Sequence, residues 1–126
     1  MLPAATRGVS GMTEFPQRGE IYLVKLPGHP RDRKVRPALV VSLDIRNQLA
    51  NDVMVVPLTT TLRASPTHVR IEPREGGLDH ISMAKCEQLT TLDKEFLLRG
   101  PFAGQVSDAT MADIERAIMR AIGVVV

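Results

Sequence analysis

The chain has 126 residues, of which 44% are hydrophobic and 3% aromatic, and its formal net charge is +2. This length supports one compact core but not two ordinary domains. The single cysteine, Cys86, excludes an internal disulfide and fits a cytoplasmic protein. The sequence contains no run of eighteen consecutive apolar residues, so no membrane span is predicted. The scarcity of aromatic residues argues against a base-stacking platform for single-stranded nucleic acid.

Residues 1–16 lack the basic head and apolar run of a signal peptide and are predicted to be a disordered leader. Met12 could equally be the natural start. The remainder, 17–126, is predicted to form a single domain.

Short apolar and β-branched runs, separated by Gly and Pro, predict five to seven strands in this domain. They are expected at 19–26, 36–43, 52–60, 68–73 and 81–92, the last with a bend, and 101–107 could add a short final strand. Residues 44–51 form a connector with room for one helical turn. Pro37 fits the entrance of its strand and not its middle.

The chain ends in a predicted helix. Ser107 is a suitable N-cap, Asp108 fits the first turn, and Gly123 fits the position after the last turn. Apolar residues follow at helical spacing: Met111, Ile114, Ile118, Ala121 and Ile122. Short strands followed by one packed helix predict a mainly β fold, either a small antiparallel barrel or a sandwich, capped by the helix.

The strands 36–43 and 52–60 are apolar on both faces. One face of a small antiparallel sheet normally meets water, so the second face needs a cover. The C-terminal helix or another subunit would provide it, and we expect a homodimer.

No metal site, P-loop, dinucleotide fingerprint or nucleophile elbow is found in the sequence, and no cofactor is expected. The three histidines are far apart in sequence, and Cys86 is interpreted as a buried structural thiol.

Polar residues at strand ends are the remaining candidates for chemistry. Arg36 opens the second strand, Thr59 closes the third, and Lys85 and Glu87 are two positions apart on the fifth. An arginine can hold a phosphate, a carboxylate can accept the proton of an attacking hydroxyl, and a cation can assist the leaving oxygen. Each residue also has an ordinary interpretation, as a loop arginine, a turn threonine or a solvated charge pair.

Five segments, in order, resemble the MazF/PemK (Kid) family of toxin endoribonucleases. They are "RGEIYLVKLP", "VRPALVVS", "VVPLTT", "CEQLTTLDKEFL" and "GQVSDATMADIERAIMRAIGV", and together they span about residues 18 to 124. The resemblance implies an SH3-like barrel of the MazF/Kid/CcdB type with a C-terminal helix, found as a homodimer. It also implies metal-independent cleavage of single-stranded RNA to 2′,3′-cyclic phosphate and 5′-hydroxyl ends, and a neutralising antitoxin partner.

Carried over residue by residue, the family's Arg-Pro arginine corresponds to Arg36 and its Pro-x-Thr threonine to Thr59. Its acidic residue before Gln corresponds to Glu87, and the basic residue two positions earlier to Lys85. These four are the predicted catalytic residues. The predicted RNA-binding residues are His29, Arg31, Arg33, Lys34, Thr60, Thr61, Arg63 and Gln88.

Two other hypotheses stay open on sequence alone. One is a non-catalytic barrel that binds nucleic acid or a topoisomerase-like protein, because a fold does not fix a function. The other is a scaffold whose basic loop 27–34 only faces water.

Overall fold

The computed structural model describes residues 15–26 and 35–126. Most of the predicted leader, 1–14, lies outside the described residues. Phe15 and Pro16, which were assigned to that leader, are described, and Pro16 is buried. The loop 27–34 also lies outside, and with it the predicted RNA-binding residues His29, Arg31, Arg33 and Lys34.

The described chain is mainly antiparallel β-sheet with a C-terminal helix, as predicted. The elements, in chain order, are β1 (Ile21–Lys25), β2 (Val35–Val40), α1 (Asp44–Leu49), β3 (Asp52–Thr59), β4 (His68–Ile71), β5 (Ser82–Lys85), β6 (Thr90–Asp93), β7 (Leu97–Arg99) and α2 (Asp108–Ala121). Single 3₁₀ turns occupy Glu75–Gly77, Cys86–Gln88 and Lys94–Phe96. The strand order is β4-β5-β3-β2-β1-β7, with β6 also paired to β3.

Strand β3 organises the sheet because it pairs with three other strands. On one side it pairs with β2, and on the other its first half pairs with β6 and its last two residues pair with β5. The change of partner falls between the pairs Val55↔Thr90 and Leu58↔Ala84. Pro57 lies in this gap and has no N–H to donate to a ladder. The chain between β5 and β6 therefore crosses over beside Pro57.

Two strand predictions were wrong. Residues 81–92 do not form one bent strand, because the 3₁₀ turn Cys86–Gln88 separates β5 from β6. No strand forms at 101–107, where only isolated bonds such as Phe102 N–H to the Ile21 carbonyl attach the chain to β1. The seventh strand is instead β7, which pairs with β1 around a bulge.

The sheet is not closed into a barrel within the described residues. There, β4 pairs with β5 alone, β7 pairs with β1 alone, and these two edge strands do not pair with each other. The sheet stays open because β3 has two partners on one side. One of them, β5, leads to the edge strand β4, and the other, β6, is followed by the edge strand β7. The prediction of a mainly antiparallel β fold with a C-terminal helix is confirmed, and the prediction of a closed barrel is wrong for the described residues.

Both faces of the sheet are covered within one chain. On one face a core cluster forms between the strands and α2, including Ile21, Leu39 and Val56. On the other face a second cluster joins Tyr22 and Val40 to residues of β6 and β7. The doubly apolar strands that suggested a second subunit are thus buried without one.

Helix α2 begins and ends as predicted. The Ser107 hydroxyl accepts the backbone N–H of Thr110 at 3.1 Å, and Gly123 has a φ of 91° after the last turn. Met111 and Ile114 pack into the first core cluster. The last two residues of the predicted apolar face are wrong, because Ala121 is exposed and Ile122 is 71% exposed. Neither helix of the described chain has the length and apolar run that crossing a bilayer requires.

Candidate active site

Three strand ends meet on one face of the sheet. Thr59 at the end of β3 lies opposite Met83 in β5, and Lys85 at the end of β5 lies opposite His68 at the start of β4. Directly opposed residues in an antiparallel sheet point to the same face. The register therefore gathers a hydroxyl, an amine and an imidazole where the apolar core of this face ends.

These side chains line an open cavity of about 290 Å³. Its lining residues are Thr59, Thr61, Arg63, His68, Lys85 and Glu87. Polar groups that converge on one concavity are the usual mark of a binding or catalytic site.

Glu87 reaches this cavity from the 3₁₀ turn that follows β5. One carboxylate oxygen, Oε1, accepts the Thr67 hydroxyl at 2.8 Å, and the other, Oε2, lies 3.1 Å from Nε2 of His68. The carboxylate is 39% exposed, so it is held in place and still accessible.

Partial burial raises the pKa of the Glu87 carboxyl. Hydrogen bonds from its own backbone N–H, from Thr67 and from His68, together with the charge of His68, lower the pKa further than burial raises it. The net pKa is below the ordinary value. Glu87 is therefore a carboxylate at neutral pH, and its remaining lone pairs can accept a proton or a hydrogen bond.

Thr59 ends β3 in a local turn. Its hydroxyl oxygen accepts the backbone N–H of Thr61 at 3.1 Å, which is ordinary turn chemistry. This bond uses the oxygen as an acceptor, so the hydroxyl proton can still donate to an anion in the cavity.

Lys85 and Glu87 share the cavity, as their spacing predicted, but not because both lie on a strand. Strand β5 ends at Lys85, and Glu87 follows in the 3₁₀ turn. Met83 is 6% exposed and Lys85 is half-buried, so the charged residues start where the core reaches the sheet rim. The bland interpretation of this pair as a solvated strand face does not fit this placement.

Arg36 lies on the same sheet face, further from the described cavity. It pairs with Val24 of β1, and the β2–β3 register includes Ala38↔Pro57. The β2–β3 pairing ends at that pair, and only an extension of its register by two residues would place Arg36 opposite Thr59. Pro37 and the buried strand beyond it fix the backbone of Arg36 at this position.

The predicted RNA-binding residues separate into three groups. Thr61 and Arg63 line the cavity with the catalytic candidates. Thr60 and Gln88 are exposed and adjacent in sequence to lining residues, but neither belongs to the lining described here. The remaining four lie in the loop 27–34, outside the described residues.

Sequence reasoning missed His68 and Thr67. On sequence alone His68 is assigned only to the strand 68–73 and is given no role, yet its side chain is only 10% exposed beside Glu87. Its ring also contacts the Arg63 carbonyl, with Nδ1 at 2.8 Å from the oxygen. No local sequence signal marks His68, because only the β4–β5 pairing shows that its face of the sheet continues into a cavity.

Cys86 adjoins Glu87 but points into the core. It is 1% exposed, and burial, followed by the charge of Glu87, raises the pKa of its thiol to about 12. This agrees with its interpretation as a structural thiol. Across residues 15–26 and 35–126, no group of three or more His, Cys, Asp or Glu side chains is arranged to hold a metal ion.

Comparison with known proteins identifies relatives of the whole domain. Residues 17–122 match the family described as PemK-like, MazF-like toxin of type II toxin–antitoxin system. The chain is 35% identical to "Endoribonuclease MazF1" of Mycobacterium bovis over 108 residues, which are 86% of this chain and 93% of that protein.

Solved structures show the same fold. An endoribonuclease from a mycobacterial species is 34% identical, with a TM-score of 0.72 over 90% of this chain and 96% of that chain. An endoribonuclease in complex with its cognate antitoxin, also mycobacterial, is 34% identical, with a TM-score of 0.73 over 88% of this chain and 98% of that one.

Proposed function

Because the chain belongs to the PemK-like, MazF-like family of toxins of type II toxin–antitoxin systems, we propose that it is an endoribonuclease. Its substrate is single-stranded RNA, and its reaction needs no metal cofactor. The observation that supports this most is the convergence of Thr59, from the end of β3, with Lys85 and Glu87, from the end of β5 and the turn after it, on one cavity.

The proposed reaction is a transesterification within the RNA. The 2′-hydroxyl oxygen attacks the adjacent phosphorus, forming a bond between O2′ and phosphorus, and the bond between phosphorus and the 5′-oxygen breaks. The products are a 2′,3′-cyclic phosphate and a 5′-hydroxyl end. No water is consumed, and the proton that leaves the 2′-oxygen is balanced by one that reaches the 5′-oxygen.

Glu87 is suited to accept the first proton, because its carboxylate is ionised at neutral pH and accessible from the cavity. Lys85 lies in the same lining with a positive charge beside the developing negative charge. It stabilises that charge and is the candidate donor of the proton to the 5′-oxygen. The Thr59 hydroxyl is placed to donate a hydrogen bond to the phosphate.

Arg36 is proposed to stabilise the pentavalent phosphorane. A guanidinium presents paired donors to phosphate oxygens, and the extra negative charge of the transition state strengthens those bonds. Its place on the sheet face of the cavity, two residues before the paired Ala38 in β2, supports this role.

RNA binding extends around the cavity. Thr61 and Arg63 contribute from the lining, and Thr60 and Gln88 from the exposed surface beside it. The basic residues of the loop 27–34, together with His29, are proposed to bind backbone phosphates, which makes affinity fall as salt rises.

The partners and the location are further parts of the proposal. One relative was solved with its cognate antitoxin, and we propose that this chain also binds and is inhibited by an antitoxin. We further propose a cytoplasmic homodimer in which 17–126 is the single domain, with the SH3-like architecture of the MazF/Kid/CcdB type in an open form. Light scattering of the purified chain tests the dimer.

The test of the reaction is incubation with mixed-sequence RNA in EDTA, followed by detection of new 5′-hydroxyl ends. Wild type should produce them, Arg36→Ala should not, and Arg36→Lys should retain only part of the activity. Arg116→Ala, on the exposed surface of α2, is the matched control and should cleave like wild type. Equal cleavage by Arg36→Ala and wild type would remove Arg36 from the site, and no cleavage by wild type would favour a non-catalytic binding module.

A further inference from the structure

His68 occupies an unusual hydrogen-bonding position beside the candidate base. Nδ1 lies 2.8 Å from the carbonyl oxygen of Arg63, and Nε2 lies 3.1 Å from Oε2 of Glu87. The ring is 10% exposed, so little room is left for water to replace either partner. Both of its nitrogens thus face oxygen atoms.

The protons of these contacts can be counted. A carbonyl oxygen only accepts hydrogen bonds, and so does an ionised carboxylate. A neutral imidazole has one N–H, so it can satisfy one of the two contacts and leaves a lone pair facing the other oxygen. Two good contacts require either a doubly protonated ring beside an ionised Glu87 or a neutral ring beside a protonated Glu87.

The surroundings favour the ionised pair. The other hydrogen bonds to Glu87, from its own backbone N–H and the Thr67 hydroxyl, stabilise a carboxylate, and the pKa of Glu87 is below its ordinary value. Two cations that oppose a charged ring line the same cavity, Lys85 of β5 and Arg63 of the loop before β4. Arg70, two residues along β4, is bound to Glu72, and Arg120 of α2 contacts the Pro66 carbonyl. Glu87 is in direct contact with the ring, whereas the like charge of Lys85 comes from a cross-strand neighbour.

We propose that His68, held as an imidazolium between the Arg63 carbonyl and Glu87, is a positioning residue that fixes the catalytic carboxylate. The role of Glu87 in this inference rests on the proposed function. The presence of the second proton on the His68 ring does not. The ring ties the loop before β4 to the turn after β5 through two charge-assisted bonds. Loss of one proton breaks one of these bonds, so the geometry of Glu87 depends on the protonation of His68.

Spectroscopy tests the proton without any cleavage assay. A long-range ¹⁵N–¹H correlation spectrum of histidine-labelled protein at pH 7 should show two protonated ring nitrogens for His68, assigned by its absence in His68→Gln. In Glu87→Gln the same ring should become a neutral tautomer. A neutral ring in wild type, or an imidazolium that persists in Glu87→Gln, would overturn the proposal.

Two uncharged substitutions then test positioning. The Gln side chain can place its amide near Nε2 and donate to Glu87, whereas the Asn side chain can place its amide near Nδ1 and donate only to the Arg63 carbonyl. Neither amide titrates. We expect His68→Asn to lose kcat by about tenfold to a hundredfold, because a bond to a charged group is lost, with KM nearly unchanged. His68→Gln should stay within about threefold of wild type by the same reasoning.

The pH profile separates positioning from simple stabilisation of the fold. At the pH where the spectrum shows the ring losing its second proton, wild type should lose a part of kcat that His68→Gln retains, whereas any limb that belongs to Lys85 is common to both. Equal kcat for the Asn and Gln variants, or identical pH profiles for wild type and His68→Gln, contradicts the positioning role. If wild type cleaves no RNA, the proposed function fails. The spectrum alone then decides whether the His68 ring carries two protons.

Discussion

Two glutamates in this chain have nearly the same local chemistry and different surroundings. Glu75 and Glu87 each lie in a 3₁₀ turn after a β-strand, and each accepts a threonine hydroxyl, from Thr110 and Thr67 respectively. In both carboxyls burial raises the pKa and hydrogen bonds lower it further.

The difference lies in what else faces each carboxylate. Glu75 accepts the backbone N–H of Ser107 at 2.8 Å, so it caps the N-terminus of α2 from another part of the chain. Its turn is packed against the core, because a Cβ on Gly76 would lie 2.6 Å from Ile21 Cδ1. Glu87 instead faces a cavity with a lysine, a histidine and threonines around it.

This comparison teaches that a hydrogen-bonded carboxylate with a lowered pKa is not by itself evidence of function. Glu75 has both properties and only closes a helix end. The accessible cavity and the titratable neighbours distinguish Glu87. Each prediction below changes one side of this comparison.

The largest expected effect is on cleavage. Glu87→Gln keeps the shape of the side chain but loses the base, so kcat should fall by roughly 10² to 10⁴-fold, the usual contribution of general base catalysis. Glu75→Gln should cleave at close to the wild-type rate per folded molecule. Single-turnover rates of both variants, each corrected for its folded fraction, measure this. Similar losses in the two variants would mean that Glu87 is also only structural.

The next largest effect concerns Cys86, the neighbour of Glu87 in the same turn. With a thiol pKa of about 12, labelling by a thiol reagent at pH 8 should be roughly a thousandfold slower than for an ordinary cysteine of pKa about 8.5. Labelling kinetics in the native and the urea-unfolded protein check this. Fast native labelling would show that the turn opens, and a fixed Glu87 would then be excluded.

A smaller effect is expected on the free energy of unfolding when Glu75 is substituted. Glu75→Gln should lower the free energy of unfolding at pH 7 by about 1–2 kcal/mol, the range for losing a helix cap. The lowered pKa of Glu75 means that the unfolded chain binds its proton first as pH falls, so wild-type stability should decrease below about pH 4.5. The acid-side slope should be shallower in Glu75→Gln. Urea midpoints from pH 3 to 7 measure it, and parallel slopes would contradict the cap.

The smallest effect is on the two threonines. Thr67→Val removes one neutral hydroxyl bond to Glu87 and should reduce kcat by about two- to tenfold. Thr67→Ser retains the hydroxyl and should behave like wild type. Thr110→Val removes the equivalent bond to Glu75 and should change the urea midpoint but not kcat. A kcat loss with Thr110→Val instead would contradict the division of roles.

Much of the fold could be predicted because its signals are local. A short run with β-branched residues predicted β4, runs apolar on both faces predicted β2 and β3, and the Ser107 cap with Gly123 predicted α2. The break between β5 and β6 could not be predicted in the same way. It depends on Pro57, which is distant in sequence and lacks the N–H that would have continued the ladder.

The candidate site was also predictable only where its signals are local. Lys85 and Glu87 were found because spacing and resemblance both point to them. The partners of Glu87 were not found, because His68 and Thr67 are 19 and 20 residues away in sequence and meet it only through the β4–β5 pairing. Their contribution is visible only once the register is known.

The central claim is that the RNA supplies its own nucleophile at this cavity. The most direct test is one oligonucleotide in two forms, with the ribose at the cleaved position either unmodified or 2′-deoxy, incubated with the protein in EDTA. The account predicts that the protein binds both forms and cleaves only the first, leaving a 2′,3′-cyclic phosphate. Cleavage of the 2′-deoxy form at the same position would contradict it, because another nucleophile would then have attacked the phosphorus.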